Sequence, residues 1–164
     1  MFREMRRKKQ ELPQEDVIRI LQEGTSGVLA VSGDNDYPYA VPLSYVYDSG
    51  KIYFHCATSG HKLDGIRKNN KVSFCVISQD QVVPEEYTSY FRSVIAFGQI
   101  RILENDLEKR AAIKNLAEKY VPNGSPSQHE NAAEKAWTRF CMLEMTVEHM
   151  TGKEARELAK DRRS

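Results

Sequence analysis

No apolar run in the sequence is long enough to cross a membrane as a helix. The uncharged stretches are broken by Gly, Pro, Ser and Tyr well short of the ~18 apolar residues such a span needs. No apolar segment follows the basic residues at 3–9, which speaks against a secretory leader. Cysteine is scarce: Cys56, Cys75 and Cys141 are odd in number, widely spaced and form no Cys-x-x-Cys. That argues against a disulfide framework and against a zinc site, and points to a reducing cytoplasm. An excess of charge of one sign is also missing, since 24 Lys and Arg stand against 23 Asp and Glu. A protein whose whole body is basic and binds a polyanion such as nucleic acid is thereby excluded. Internal repeats and low-complexity tracts are absent. What remains, 40% hydrophobic and 29% charged residues in a chain of 164, is the profile of one globular domain.

The charge is unevenly spread. Residues 1–12 hold five basic and two acidic groups, and residues 153–164 hold five basic and three acidic. The body between them carries 14 basic against 18 acidic groups. The basic start reads as a flexible, solvated arm, and residues 153–164 read as a C-terminal helix and tail.

Periodicity divides the rest. Residues 15–23 place Val17, Ile18 and Leu21 on one helical face, with Pro13 before them and Gly24 after. Residues 27–32 form a strand ended by the turn cluster 33–36. Residues 39–47 form a second strand, turned at 48–50 into a third at 51–56. Pro42 removes a ladder donor, so it marks an edge or a bulge. Residues 59–69 predict a helix capped by Ser59, with Leu63 and Ile66 inward. A strand at 71–78 precedes a polar loop at 79–86. Residues 87–103 are a long strand with a bulge at Gly98. Asn105 opens a helix at 106–120 whose candidate core is Leu107, Ala111, Leu116 and Ala117. A loop at 121–128, a short helix at 129–137, a strand at 140–148 and a helix at 152–161 complete the chain. Consecutive strands joined by tight turns pair antiparallel. The expected fold is therefore α+β, with six or so antiparallel strands closing into a barrel and helices inserted between them.

Between the third strand and its helix lies Thr58-Ser59-Gly60-His61-Lys62. The free N–H groups of a first helical turn and the helix dipole suit an anion. Lys62 adds a full charge, His61 a donor, and Thr58 and Ser59 hydroxyls. The segment has neither Walker spacing nor Gly-x-Gly-x-x-Gly, so on these residues alone an ordinary capped helix with surface His and Lys is the competing reading.

The run Tyr53 to Ile66, Tyr-Phe-His-Cys-Ala-Thr-Ser-Gly-His-Lys-Leu-Asp-Gly-Ile, resembles the flavin-phosphate segment of the FMN-binding split-barrel superfamily. The similarity is to the branch related to pyridoxamine 5′-phosphate oxidase that contains the nitroimidazole-resistance proteins. Met5 to Lys8, Pro38 to Tyr47, Tyr90 to Gly98 and His149 to Ala155 resemble further segments of that branch in the same order. The resemblance spans nearly the whole chain and implies a single six-stranded antiparallel split β-barrel of Greek-key type with peripheral helices.

Position by position, it implies that Val41, Pro42, Leu43 and Ser44 lie along the isoalloxazine ring. His55 and Cys56 would sit beside the ribityl chain and phosphate, and His61 and Lys62 would grip the phosphate. Ser93 would lie near the flavin. A second copy would complete each site at a homodimer interface, with Trp137 as its candidate contribution. Tyr45, Tyr47 and Tyr90 are further candidates to line the pocket. The implied cofactor is FMN, with FAD as the other flavin. The implied activity is NAD(P)H-dependent reduction of small acceptors such as nitroaromatics, with no metal, nucleic acid or membrane involved. No catalytic side chain is assigned beyond His61 as a candidate proton donor. The other class of function is a non-catalytic flavin- or haem-binding barrel. Vitamin B6 oxidation is set aside, because Ala40 stands where those oxidases carry Arg, and because the chain's end lacks their Arg-Leu-x-Pro stretch. The three cysteines read as small buried hydrophobes.

Overall fold

The structure, a computed structural model, describes residues 1–162. The end of the expected C-terminal tail, Arg163 and Ser164, lies outside the described residues. Seven strands are formed among the described residues: β1 (Ser26–Ser32), β2 (Pro38–Ser44), β3 (Val46–Asp48), β4 (Lys51–Cys56), β5 (Lys71–Val83), β6 (Thr88–Ile102) and β7 (Cys141–Glu154). Five α-helices accompany them: α1 (Gln14–Glu23), α2 (His61–Lys68), α3 (Asp106–Tyr120), α4 (Pro126–Ala136) and α5 (Arg156–Asp161).

All strand pairs are antiparallel, in the order β2-β1-β5-β6-β7-β4-β3. β2 and β3 stand at opposite ends of that order, yet only Tyr45 separates them along the chain. One stretch of backbone therefore pairs with β1 through Ser44 and with β4 from Val46, which closes the sheet. No ladder joins β2 to β4, so the barrel is split there. The expected six strands become seven because the stretch 39–47 breaks at this one residue.

The break has a physical support. Tyr45 is fully buried. Its N–H donates to the Tyr120 hydroxyl at 3.0 Å, and that hydroxyl lies 3.0 Å from the Tyr45 carbonyl and against the Thr25 carbonyl. A phenol has one proton, so it accepts from Tyr45 N–H and donates to one of the two carbonyls. The Tyr45 ring packs edge-on to Phe74 at 4.9 Å, and Phe74 packs edge-on to Phe54 at 5.0 Å, forming the aromatic centre of the core. Burial pushes the Tyr45 phenol pKa upward, and burial likewise lowers that of Lys119, whose ammonium lies 4.3 Å from the Tyr45 ring centre.

Alternation sets the rest of the core: Ile52, Phe54 and Cys56 of β4 and Val72, Phe74 and Val76 of β5 point inward. The β6–β7 register shifts between Phe97, opposite His149, and Gly98, opposite Val147, so the extra residue is Glu148 on β7. The bulge expected at Gly98 thus falls on the partner strand, where a Cβ on Gly98 would stand 2.0 Å from the Thr146 carbonyl oxygen. α2 lies against β1 through Leu63 and Ile66. It comes so close that a Cβ on Gly65 would meet the Ser32 carbonyl oxygen at 2.4 Å.

Several expectations are corrected. The N-terminal arm keeps Arg3, Arg6, Arg7, Lys8 and Lys9 exposed but is anchored at its end: Leu12 is buried, with its N–H on the Gly152 carbonyl at 2.9 Å, and buried Gln10 donates to the Glu154 carbonyl at 2.8 Å. Phe2 stacks on His149 at 4.9 Å. Of the polar stretch 79–86, residues 79–83 continue β5 against β6 as a projecting hairpin, and only Pro84–Glu86 form its connecting turn. On α3 Leu116 is buried as expected and Ala112 joins it, whereas Ala111 is exposed and Leu107 is 78% exposed. α4 begins earlier, at Pro126, under a Ser125–Gln128 capping box. β7 runs on to Glu154, so the last helix starts only at Arg156.

Candidate functional site

The split between β2 and β4 is bounded by three elements: the free edge of β2, the end of β4 with the loop 57–60, and the first turn of α2. α2 begins at Gly60 with φ 129°, and no side chain caps it, so Ser59 does not perform the expected capping. The Leu63 and Asp64 amides turn to the Gly60 carbonyl at 2.9 and 3.2 Å. The His61 and Lys62 N–H groups remain at the positive end of the helix dipole. The space beside Gly60 is open, with no atom within 4 Å of where its Cβ would be. Lys62 has no ion pair among the described residues, and Thr58 and Ser59 are exposed. Uncapped donors, an unpaired ammonium and two hydroxyls fit a phosphate.

His61 ties this helix start to β2. Its ring lies 4.2 Å from that of Tyr39, and its Nε2 accepts the Asp34 N–H at 3.2 Å. The neutral ring then carries its proton on Nδ1. The Asp34 carboxylate, 3.7 Å from Nε2, stands ready to pair with the protonated ring.

β2 offers backbone groups. The Gly33 N–H bond to the Tyr37 carbonyl, continued through the β1–β2 register, turns Tyr39, Val41 and Leu43 toward the β1 ladder. The Ala40 and Ser44 N–H groups and the Ala40, Pro42 and Ser44 carbonyls then point to the free edge. Pro42, lacking an N–H, sits where its missing donor costs no ladder bond. The edge fits a planar ring with polar atoms along one side.

The expected site residues therefore divide. Val41 and Leu43 pack their side chains against the core, whereas Pro42 and Ser44 are exposed. His55 is exposed on one face of β4 and Cys56 is buried on the other, so the two do not face one ligand. Ser93 lies on β6 opposite Ile77 and Lys153. The ladders from Ser44 to Ser26, Val28 to Cys75 and Ile77 to Ser93 put it on the same outer sheet face as Ser44 and Pro42, three strands away. Trp137 packs 5.8 Å from Phe140, with Lys109 and Arg110 over its ring. Tyr45 faces the barrel interior instead of a pocket, and Tyr90 donates to Glu86 at 2.7 Å on the hairpin. That outer sheet face exposes Val28, Ile77, Ile95 and Phe97, at 39, 65, 42 and 38%. A 570 Å³ cleft lined by Ser32, Pro38, Lys71, Ser73 and Phe97 opens on it.

Sequence reasoning missed Cys141, which lies opposite Cys56 in the β4–β7 register with the two sulfurs 3.2 Å apart. Burial, with the Cys141 thiol beside it, pushes the Cys56 pKa up to about 12, against a smaller pull downward from Lys62. Tyr39 and the 33–36 turn were also missed as partners of His61. Tyr39 carried a weak signal, being two residues before Val41 on the same strand; Cys141 carried none.

A family model described as pyridoxamine 5′-phosphate oxidase matches residues 13–154. No curated protein matches the chain. A conserved protein of Mycobacterium tuberculosis shares the fold with a TM-score of 0.80 at 15% identity, over 94% of this chain and 92% of that one. A candidate 5-nitroimidazole antibiotic resistance protein of Bacteroides thetaiotaomicron superposes with a TM-score of 0.71 at 19% identity, over 88% and 86%. An FAD-binding protein of Mesorhizobium loti gives 0.62 at 21% identity, over 88% and 96%. At these identities the structures speak for a shared fold.

Proposed function

The chain belongs to the pyridoxamine 5′-phosphate oxidase family, and on that premise we propose that it is a homodimeric, cytoplasmic flavoprotein that binds FMN and reduces small acceptors such as nitroaromatic compounds at the expense of NAD(P)H. The observation that carries this reading is the uncapped start of α2, with unpaired Lys62, joined through His61 and Tyr39 to the free edge of β2. Lys62 Nζ and the His61 and Lys62 N–H groups would hold the phosphate, helped by the Thr58 and Ser59 hydroxyls. The free-edge backbone groups of Ala40, Pro42 and Ser44 would meet the polar edge of the ring. When bound, the flavin supplies two-electron chemistry between a nicotinamide donor and the acceptor. His61 offers a hydrogen-bond donor at Nδ1 while its Nε2 accepts the Asp34 N–H.

The exposed apolar residues Val28, Ile77, Ile95 and Phe97 support dimerisation, since a patch of this kind on one sheet face favours burial against a second copy. Ser93 lies three strands from β2 within one chain and Trp137 packs on Phe140, and a second copy is the means by which they would reach the ligand of β2. The FAD-binding relative from Mesorhizobium loti supports a flavin as the ligand.

The test is the visible spectrum of the purified protein after incubation with FMN or FAD and removal of free flavin. A bound flavin spectrum bleached by NAD(P)H without oxygen supports the reading. A colourless protein overturns it, and a bound flavin that NAD(P)H does not bleach leaves a binding protein. Lys62→Ala removes one charge-assisted bond of about 1.5–3 kcal/mol, so FMN affinity should fall about 10- to 100-fold. Unchanged affinity would remove the phosphate from this site.

A further inference from the structure

The mechanism proposed above makes no use of the two thiols at the base of the 57–60 loop. Cys56 ends β4 and Cys141 begins β7, directly opposite in register. Opposed residues of an antiparallel pair hold their Cα atoms about 4.5–5.5 Å apart, which lies inside the span of about 4.4–6.8 Å that a disulfide accepts. Their sulfurs already touch, at 3.2 Å. About 1.2 Å separates this contact from an S–S bond of about 2.0 Å. The two are not equally accessible: Cys56 is buried, whereas Cys141 is half-buried and donates to the Ala57 carbonyl at 3.3 Å. Cys75, the third cysteine, sits on β5 opposite Val28 and Ile95, away from the pair.

From this geometry we propose that Cys56 and Cys141 form a reversible redox site, a dithiol that low-molecular-weight disulfides oxidise to an intramolecular bridge. The more accessible Cys141 sulfur attacks one sulfur of the small disulfide as its thiolate. A mixed disulfide forms on Cys141 and one small thiolate leaves, taking up a proton. Cys56 then gives up its proton, its sulfur attacks the Cys141 sulfur, and the second small thiolate leaves. Two protein thiols are oxidised and one small disulfide is reduced to two thiols, so electrons and protons balance. The order of events follows from burial: Cys56 is held protonated and shielded, and meets the oxidant only through Cys141. Closing the bridge takes the Cys141 hydrogen from the Ala57 carbonyl, at the head of the loop that leads to α2. The inference rests on the strand register and sulfur contact alone, and is independent of whether a flavin binds.

The experiment uses the full-length protein and glutathione disulfide in excess. Free thiols are counted after denaturation, and the cross-link is mapped by mass spectrometry of non-reduced peptides. The expected result is a fall from the three thiols of the sequence to one, a mass loss of two hydrogens, and a Cys56–Cys141 peptide pair that dithiothreitol reverses. Cys56→Ser should stop at a stable mixed disulfide on Cys141, and Cys141→Ser should keep both remaining thiols; Ala replacements serve if a Ser variant does not fold. Cys75→Ser should behave as the parent. Retention of all three thiols, linkage through Cys75, or oxidation of the Cys141→Ser variant at the parent rate overturns the proposal.

Discussion

Replacing Tyr120 by Phe tests the account of why the barrel splits where it does. The ring is kept and one oxygen is removed. That oxygen is the acceptor for the Tyr45 N–H at 3.0 Å, at a residue with no exposed surface. Neither flanking strand offers a replacement, because Tyr45 is the single residue between β2 and β3. A buried donor left without a partner costs about 1–3 kcal/mol. The Thr25 carbonyl is exposed and can turn to water, so little is lost there. The expected loss is about 2 kcal/mol in urea unfolding at constant m-value. For a domain of this size each kcal/mol lowers the melting temperature by roughly 2–4 °C, giving a fall of about 4–8 °C. The Tyr45 amide should also exchange its hydrogen faster than its neighbours in β3. Tyr87→Phe, at the 98% exposed hairpin tip, is the control and should change neither. A Tyr120→Phe variant within about 0.5 kcal/mol of the parent, with the Tyr45 amide still protected, would refute the role given to this hydroxyl.

Two further predictions concern packing and charge. Gly65→Ala places a Cβ 2.4 Å from the Ser32 carbonyl oxygen, so α2 must move off β1; a loss of about 1–3 kcal/mol in urea unfolding is expected, and a neutral substitution would contradict the close approach. Burial tends to raise the Glu144 carboxyl pKa, but Lys51 at 3.0 Å and Arg101 at 2.9 Å outweigh it and hold the pKa below the usual carboxyl value. Its contribution to stability is therefore present above the unfolded-state value, about 4.3, and is lost as pH falls through the lower folded value. Glu144→Gln should flatten the fall in urea midpoint below about pH 4.5, and an unchanged acid limb would show that the group does not govern it.

The reach of the sequence can be judged at particular residues. Gly98 announced a close backbone approach, because a strand glycine marks a place where a side chain does not fit, but the extra residue of the bulge is Glu148 on the partner strand. Pro42 announced an edge through its missing donor. The helix start at 57–62 was legible, since helix-start chemistry is local, and its proposed anion role rests on that geometry. Ser59 was misplaced as the cap by one residue, because a Gly at positive φ starts the helix without any side-chain acceptor. Leu107 was misplaced in the core because α3 is only weakly amphipathic, and its orientation is decided by what it packs against.

Composition, alternation and turn residues determined by themselves the α+β class, the antiparallel strands and a helix start with free donors, since each of those features depends on residues a few positions apart. Tertiary structure alone decided the rest. Whether residues 39–47 are one strand or two depends on a hydroxyl 75 residues away, at Tyr120. Whether Cys56 is a lone buried thiol or half of a pair depends on the register of β4 against β7, 85 residues on. His61 meets Tyr39 and Asp34 because α2 packs against β1 and so brings its first residue to the β1–β2 connection. Partners of this kind are set by strand pairing across the barrel, and pairing between distant strands leaves no periodic trace in either segment.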